Sequence, residues 1–194
     1  MTPSGRDLHV RHGQSNPHEW QEALGALGWA GTVLPDVELF GERVTVVASV
    51  DAEVHAQRKA DGWGPVTDRT AVAMWSWPEN WSTTPRPAVR VVGVVADGRD
   101  WMRAIKTAAG FGGFGSTAVV RGGAQPPGEK VLLTAQFRGV GVVWLMPDRV
   151  VRLLSPGRVG PVSTSRPTVV SRWVEEVVYE RYLAVDGSER PVPA

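Results

Sequence analysis

Apolar residues recur at the three- and four-residue spacing of an amphipathic helix near the start of the chain. The segment 17–31 places Leu24 and Leu27 on one face and predicts a helix that ends at Gly28 or Gly31. Residues 51–62 begin with an aspartate cap and end with a glycine, which predicts a short second helix. Residues 101–110 carry the same helical spacing at Trp101 and Ile105.

The strongest amphipathic pattern lies near the end of the chain, in residues 166–185, and it predicts a helix there. The apolar positions of this helix are Val170, Trp173, Val174, Val177, Val178 and Tyr182. The charged positions, which we place on the opposite face, are Arg172, Glu175, Glu176 and Glu180. Trp173 lies in the middle of the apolar stripe, so we expect it to anchor the helix to the core.

Runs rich in valine and other β-branched or aromatic residues predict strands. These runs are 41–50, 70–77, 88–96, 116–122, 131–137, 139–146 and 149–155. Short connections at Arg138-Gly139 and Pro147-Asp148 join the last three, which predicts a three-stranded C-terminal meander.

Together these elements predict an α+β fold with one domain. We expect a mainly antiparallel sheet of about six to eight strands with two or three packed helices. The domain spans 17–185, preceded by an N-terminal arm at 1–16 and followed by a polar C-terminal tail at 186–194.

The composition mainly shows which kinds of site and which cellular locations we do not expect. The 194 residues contain no cysteine, so we expect neither a disulfide framework nor a thiolate metal site, and we expect no cofactor. Apolar runs of signal-peptide or membrane-span length are absent from the sequence. These features predict a cytoplasmic protein that does not enter the membrane.

The charge balance bears on nucleic-acid binding. The formal net charge is +1, and all but three of the 21 basic residues are arginine. Arginine makes good bidentate contacts with phosphate, which leaves an arginine-based nucleic-acid binder open as a second alternative function. A balanced net charge does not indicate such a partner.

The stretch GFGGFGST contains G-x-G-x-x-G at Gly110, Gly112 and Gly115, the spacing of nucleotide-binding loops. A dinucleotide loop follows a strand and opens a helix, whereas the predicted order here is helix, glycines, strand. The order therefore predicts a backbone turn in which Phe111 or Phe114 packs inward.

The same glycine-rich residues also resemble the glycine-rich loop of protein kinases, G-x-G-x-F-G. Lys130 follows at about the distance of the kinase lysine, but the H-R-D and D-F-G motifs of that family have no counterpart downstream. An enzyme acting on a phosphorylated or nucleotide substrate remains the first alternative function.

Residues 10–15, VRHGQS, resemble the phosphate-binding signature of the histidine phosphatases and phosphoglycerate mutases. The resemblance implies that His12 is the phosphorylated nucleophile and that Arg11 holds the phosphate. The second histidine, which this family supplies near the chain's end, has no counterpart because the last histidine here is His55.

His9, His12 and His18 lie close in sequence to Asp7 and Glu19, and imidazole and carboxylate groups are suitable zinc ligands. The spacing of these residues across a proline-bearing segment matches no closed zinc site. We therefore favour a solvated N-terminal arm without a metal.

The DGRD segment, 97–100, joins a predicted strand to a predicted helix, where open α/β sheets commonly bind ligands. Two carboxylates at this point suit metal binding or acid–base chemistry, so Asp97, Arg99 and Asp100 are candidate binding residues. The alternative is that Asp97 and Gly98 form the turn and that an aspartate caps the helix.

The chain contains nine tryptophans, and the segment WSWPENW carries three of them. Trp75 and Trp77 fall on the same face of the predicted strand 70–77, and Trp81 lies beyond a proline. Indoles at this spacing form either a core ridge or a platform for a partner's proline, sugar or apolar side chain. We take all three as candidate binding residues.

The preferred function is therefore a non-catalytic protein-interaction or assembly component. Its contact elements are the tryptophan ridge and the C-terminal helix, and its partner is another protein or a second copy of the chain. No catalytic residue is assigned.

Overall fold

The computed structural model describes residues 17–98, 100–165 and 167–188, and these ranges contain six α-helices and one six-stranded sheet. The helices are α1 Pro17–Ala26, α2 Ala52–Ala60, α3 Arg69–Met74, α4 Trp101–Gly110, α5 Glu129–Arg138 and α6 Val169–Ser188. The strands are β1 Thr32–Leu39, β2 Glu42–Val50, β3 Val89–Ala96, β4 Ser116–Gly122, β5 Val140–Leu145 and β6 Val151–Ser155. The predicted α+β class with a single sheet is confirmed.

The strands lie in the sheet in the same order as in the chain. β1, β2 and β3 pair antiparallel, β3, β4 and β5 pair parallel, and β5 pairs antiparallel with β6. The sheet is therefore mixed. α4 connects β3 to β4 and α5 connects β4 to β5, because parallel neighbours need a crossover between them.

The predicted strand at 131–137 is wrong, and with it the three-stranded meander. This segment forms most of α5, which ends at Gly139 in the left-handed conformation with φ of 68°. Only β5 and β6 form a hairpin at the C-terminal edge. The physical reason is non-local: β5 pairs parallel with β4, so the preceding segment must cross over the sheet.

The predicted strand at 70–77 is also wrong, whereas β1 is a strand that the sequence did not predict. Asp68 is the N-cap of α3, and its Oδ1 accepts hydrogen bonds from the backbone N–H groups of Thr70 and Ala71. β1 contains Pro35 and Asp36, and its register with β2 shifts there. Residue preferences did not predict this strand, because proline has no N–H to donate to a neighbouring strand and therefore argues against a strand.

Helices cover both faces of the sheet. Apolar residues of α2 to α6 pack on one face, and α1 packs on the other through Ala23, Leu24 and Leu27. Trp29 follows α1 and lies against Gly93 of β3, where a Cβ atom would overlap the indole ring. The close approach of Trp29 to the sheet therefore requires glycine at position 93.

α6 packs on β1, β3 and α3 and continues to Ser188, three residues into the predicted tail. Trp173, Val174 and Val178 are buried in the main core, as the helical pattern predicted. The indole Nε1 of Trp173 donates to the carbonyl of Thr67 at 2.7 Å. The predicted N-terminal arm and residues 189–194 lie outside the described residues.

Candidate functional site

The tryptophan segment is a helix end followed by a short 3₁₀ turn at Pro78–Asn80, not a strand. Trp75 caps the C-terminus of α3, and Trp77 and Trp81 flank the 3₁₀ turn. The expectation that Trp75 and Trp77 share one strand face is therefore wrong. The three rings have different environments as a result.

Trp75 is half-buried and packs against the main core, whereas Trp77 is 53% exposed and Trp81 is 67% exposed. Met74, at the end of α3, is 46% exposed. We call Met74, Trp77 and Trp81 the tryptophan surface. Large apolar side chains at this exposure are a common feature of protein interfaces.

Hydrogen bonds hold the backbone beneath this surface in one conformation. Ser76 donates through Oγ to the carbonyl of Ala73 at 2.7 Å, and Asn80 donates through Nδ2 to the carbonyl of Met74 at 2.8 Å. The Trp81 indole donates through Nε1 to the carbonyl of Ser76 at 3.3 Å. The exposed rings therefore stand on a preorganised support, which lowers the entropy lost on binding.

Trp75 connects the tryptophan surface to a buried cluster of charges. The Arg172 guanidinium lies 5.1 Å from the centre of the Trp75 ring. Arg172 also donates through Nη2 to Oε1 of Glu176 at 2.8 Å and to the carbonyl of Pro85 at 2.6 Å. α6 thereby holds the segment on either side of the exposed indoles.

Glu176 lies at the centre of the cluster, so its predicted place on the polar face of α6 is wrong. Arg58 of α2 donates to both of its carboxylate oxygens at 2.8 Å, and the Val66 N–H donates to Oε2 at 3.0 Å. The side chain of Glu176 is 1% exposed and that of Arg58 is 3% exposed. The two partners form an ion pair that is almost completely removed from water. Several hydrogen bonds offset the free-energy cost of this desolvation.

Burial changes the ionisation of the groups around this cluster. It raises the pKa of Glu175, and the nearby Arg172 guanidinium partly opposes that shift. It also lowers the pKa of Arg172, against the attraction of Glu176 and Glu175. The Nε of Arg172 is buried without a hydrogen-bond partner within the described structure. The i,i+4 spacing of Arg172 and Glu176 is visible in the sequence, but the contribution of Arg58 is not, because α2 lies far from α6 in the chain.

A cavity of about 320 Å³ lies beside the cluster, between α2 and the end of α6, and the sequence did not predict it. On its wall, Nδ1 of His55 and the hydroxyl of Tyr179 lie 3.1 Å apart. Burial raises the pKa of the Tyr179 phenol, and the nearby Arg58 opposes that shift. The phenol therefore stays protonated at neutral pH. Arg58, Lys59, Trp63 and Asp186 also line the cavity.

The DGRD turn forms the caps that the alternative interpretation predicted. Asp100 accepts a hydrogen bond from the Arg103 N–H at 2.8 Å as the N-cap of α4, and Asp97 accepts one from the Gly98 N–H at 2.7 Å. Arg121 donates to the carbonyl of Gly98 at 3.0 Å. The predicted site residue Arg99 lies outside the described residues. Whether this turn binds a ligand stays a prediction.

The glycine-rich stretch lies between α4 and β4, in the order helix, turn, strand. The backbone N–H groups of Phe111, Gly112 and Phe114 bond to carbonyls of the preceding turn, and the Phe111 ring is buried. None of the four glycines has a positive φ. Gly115 is needed for another reason: a Cβ there would lie 3.1 Å from the carbonyl oxygens of Val91 and Val92.

The histidine motifs of the N-terminus fall almost entirely on residues 1–16, outside the described residues. His18 lies in α1, where its Nδ1 is 3.5 Å from the Glu22 carboxylate. Across the ranges that the structure describes, no cluster of three histidine or carboxylate side chains has a geometry that could hold a metal ion. None of the described helices combines the length and the apolar character of a bilayer-spanning segment.

No protein-family model matches the chain, and neither a curated protein nor a solved structure resembles it at a significant level.

Proposed function

We propose that the protein is an assembly component that binds another protein chain through the tryptophan surface. The observation that carries this proposal is the exposure of Met74, Trp77 and Trp81 on one short segment with a hydrogen-bonded backbone. Tryptophan contributes strongly to interfaces because it buries a large area at a low entropy cost. A rigid support for such side chains adds to the affinity that they provide.

We further propose that the partner is a second copy of this chain. A methionine thioether packs well on an aromatic ring, so Met74 of one copy and an indole of the other form complementary contacts across a two-fold axis. In a two-fold symmetric interface each methionine–indole contact occurs twice, because each copy supplies both a methionine and an indole. The formal net charge of +1 adds little repulsion between copies.

We propose that the C-terminal helix, which we expected to be a contact element, belongs to the core instead. Trp173, Val174 and Val178 of its apolar stripe are buried in the protein's own core, whereas Val170 at the start of the stripe is exposed. We therefore assign the contact to the tryptophan surface without α6. We place the protein in the cytoplasm, a location that suits a chain without cysteine.

Sedimentation velocity across a hundredfold range of protein concentration tests this proposal. We expect the unmodified chain to shift from monomer to dimer as concentration rises, and the double variant Trp77→Ser, Trp81→Ser to remain monomeric. Phe137→Ser is the matched control, because Phe137 is 90% exposed on α5 and lies outside the tryptophan surface.

A chain that stays monomeric throughout the range overturns the second-copy proposal. Loss of the dimer in Phe137→Ser, with the double tryptophan variant still dimeric, places the interface on α5 and also overturns it. Circular dichroism of each variant separates a lost contact from a lost fold.

A further inference from the structure

A second cavity, of about 470 Å³, lies between the β1–β2 hairpin and α4. It is separate from the tryptophan surface. Its lining consists of Phe40, Glu42, Arg103, Lys106, Thr107, Gly110 and Phe111. The size falls within the range of ligand pockets.

One wall of this cavity is cationic. Arg103 and Lys106 lie one turn apart on the outer face of α4, both exposed, and Gly110 continues the same face. Within the described part of the chain neither cation forms an ion pair. The carbonyls of Ala108 and Ala109 at the end of α4 accept hydrogen bonds from turn N–H groups. The negative end of the helix dipole also lies there, so an anion depends on the charges of Arg103 and Lys106 to outweigh it.

The opposite wall is formed by the tip of the hairpin. Phe40 and Gly41 are its two central residues, with φ of 54° and 78°. Both positions of such a turn favour asparagine, aspartate or glycine, so a phenylalanine there is unusual. Its ring stacks on Phe114 with centroids 5.6 Å apart, yet Phe40 remains 45% exposed toward solvent. The Arg69 guanidinium lies 5.5 Å from the centre of the same ring. The hairpin thus presents to the cavity the part of the Phe40 ring that these neighbours leave exposed.

A carboxylate completes the lining. Glu42 begins β2 directly after the turn, is exposed, and forms no ion pair within the described ranges. A carboxylate accepts hydrogen bonds from sugar hydroxyls, the role that an acidic residue has in many nucleotide sites. Two cations, one carboxylate and an aromatic edge therefore surround a single cavity.

We propose that this cavity binds a nucleotide. The phosphate lies against Arg103 and Lys106, the ribose hydroxyls donate to Glu42, and the base packs on the exposed part of Phe40. Arginine and lysine are both effective phosphate ligands. The nucleotide is either free or part of a single strand, because both present the same phosphate, sugar and base.

Isothermal titration with AMP, and fluorescence anisotropy with a labelled single-stranded RNA decamer, test the proposal. We expect Arg103→Ala, Lys106→Ala to weaken binding at least tenfold. Lys130→Ala, Arg138→Ala on α5 is the matched control, which removes two exposed cations of another helix. Binding of AMP identifies a free nucleotide as sufficient, and binding of the decamer alone identifies a single strand as the ligand.

Two further variants test the individual contacts. Phe40→Asn places a residue that this turn favours at the hairpin tip, so it keeps the turn while removing the ring; we expect weaker binding and an intact fold. Glu42→Ala should remove the preference for AMP over its 2′,3′-dideoxy analogue.

The absence of binding by both probes at millimolar concentration overturns the proposal. The proposal is also overturned if the α5 control variant weakens binding as much as the α4 variant does. It is overturned as well if inorganic phosphate competes at the same concentration as AMP. None of these results bears on self-association, which the tryptophan surface determines separately.

Discussion

Arg58 of α2 and Glu176 of α6 are joined by a two-armed ion pair, with Nη1 to Oε1 and Nη2 to Oε2 both at 2.8 Å. The two residues are 118 positions apart in the chain. The contact holds α6 against α2 and fixes the helix that carries Arg172. Removing one member leaves an uncompensated charge at a position that is almost fully buried, which is the costly way to break a buried pair.

We therefore predict that Glu176→Gln strongly destabilises the protein, by about 3–5 kcal/mol, because the buried Arg58 and the partly buried Arg172 lose the carboxylate that they share. Urea unfolding at neutral pH measures the change. Glu180→Gln, at an exposed position on the same helix, is the control and should change stability by less than about 0.5 kcal/mol. Equal effects from the two variants would contradict the role of the cluster.

The second prediction concerns Trp173, whose ring is buried and whose guanidinium neighbour, Arg69, lies 4.0 Å from the ring centre. Trp173→Ala should lower the free energy of unfolding by about 3–5 kcal/mol, through the cavity it creates and the lost bond to Thr67. Thermal denaturation measures it, with Val170→Ala at an exposed position in the first turn of α6 as the control. A variant that keeps its melting temperature but loses self-association would place Trp173 in an intermolecular contact.

The third prediction separates the glycines of the turn between α4 and β4. Gly115→Ala should destabilise by about 1–3 kcal/mol, because its Cβ would press on the backbone of β3. Gly112→Ala should be nearly neutral, since its Cβ would meet the Ala109 carbonyl oxygen at an ordinary 3.4 Å. Chemical denaturation of both variants checks the order. A larger loss for Gly112→Ala would mean that the turn needs flexibility at that residue.

The fourth prediction follows from the cap of α3. The N–H groups of Ala71 and Thr70 lower the pKa of Asp68 below its ordinary value of 3.8. A lowered carboxyl pKa in the folded state adds stability above the ordinary pKa, and this stability is lost as the pH falls through the folded-state value. Asp68→Ala should therefore melt lower than the unmodified protein at pH 7, with the difference narrowing in acid.

Asp68→Asn should recover most of the loss at neutral pH, because asparagine is also a good N-cap. Glu79→Gln, at another exposed carboxylate of this region, serves as the control. A difference between Asp68→Ala and the unmodified protein that stays constant from pH 7 to pH 3 would contradict the charge-dependent part of the cap. Because α3 supports the tryptophan surface, Asp68→Ala should also weaken the self-association that we propose.

Local patterns in the sequence were sufficient to predict the elements whose intrinsic preference matches the structure that they adopt in the fold. α1, α2, α4 and α6 follow from apolar spacing with caps, and β2 and β3 follow from valine-rich runs. The buried position of Trp173 and the turn at the glycines follow from the same reasoning. In each case, the information lies within a few residues of the element itself.

The tertiary structure decided the remainder, because the determining contacts join distant parts of the chain. Residues 131–137 have strand propensity but form a helix, since β4 and β5 pair parallel and need a crossover. Glu176 has the spacing of a solvated residue but is buried, since Arg58 reaches it from another helix. The exposure of Trp77 and Trp81 was likewise set by the packing of α3 and the turn after it. A periodic pattern specifies which face a residue occupies, but only the packed fold specifies what lies against that face.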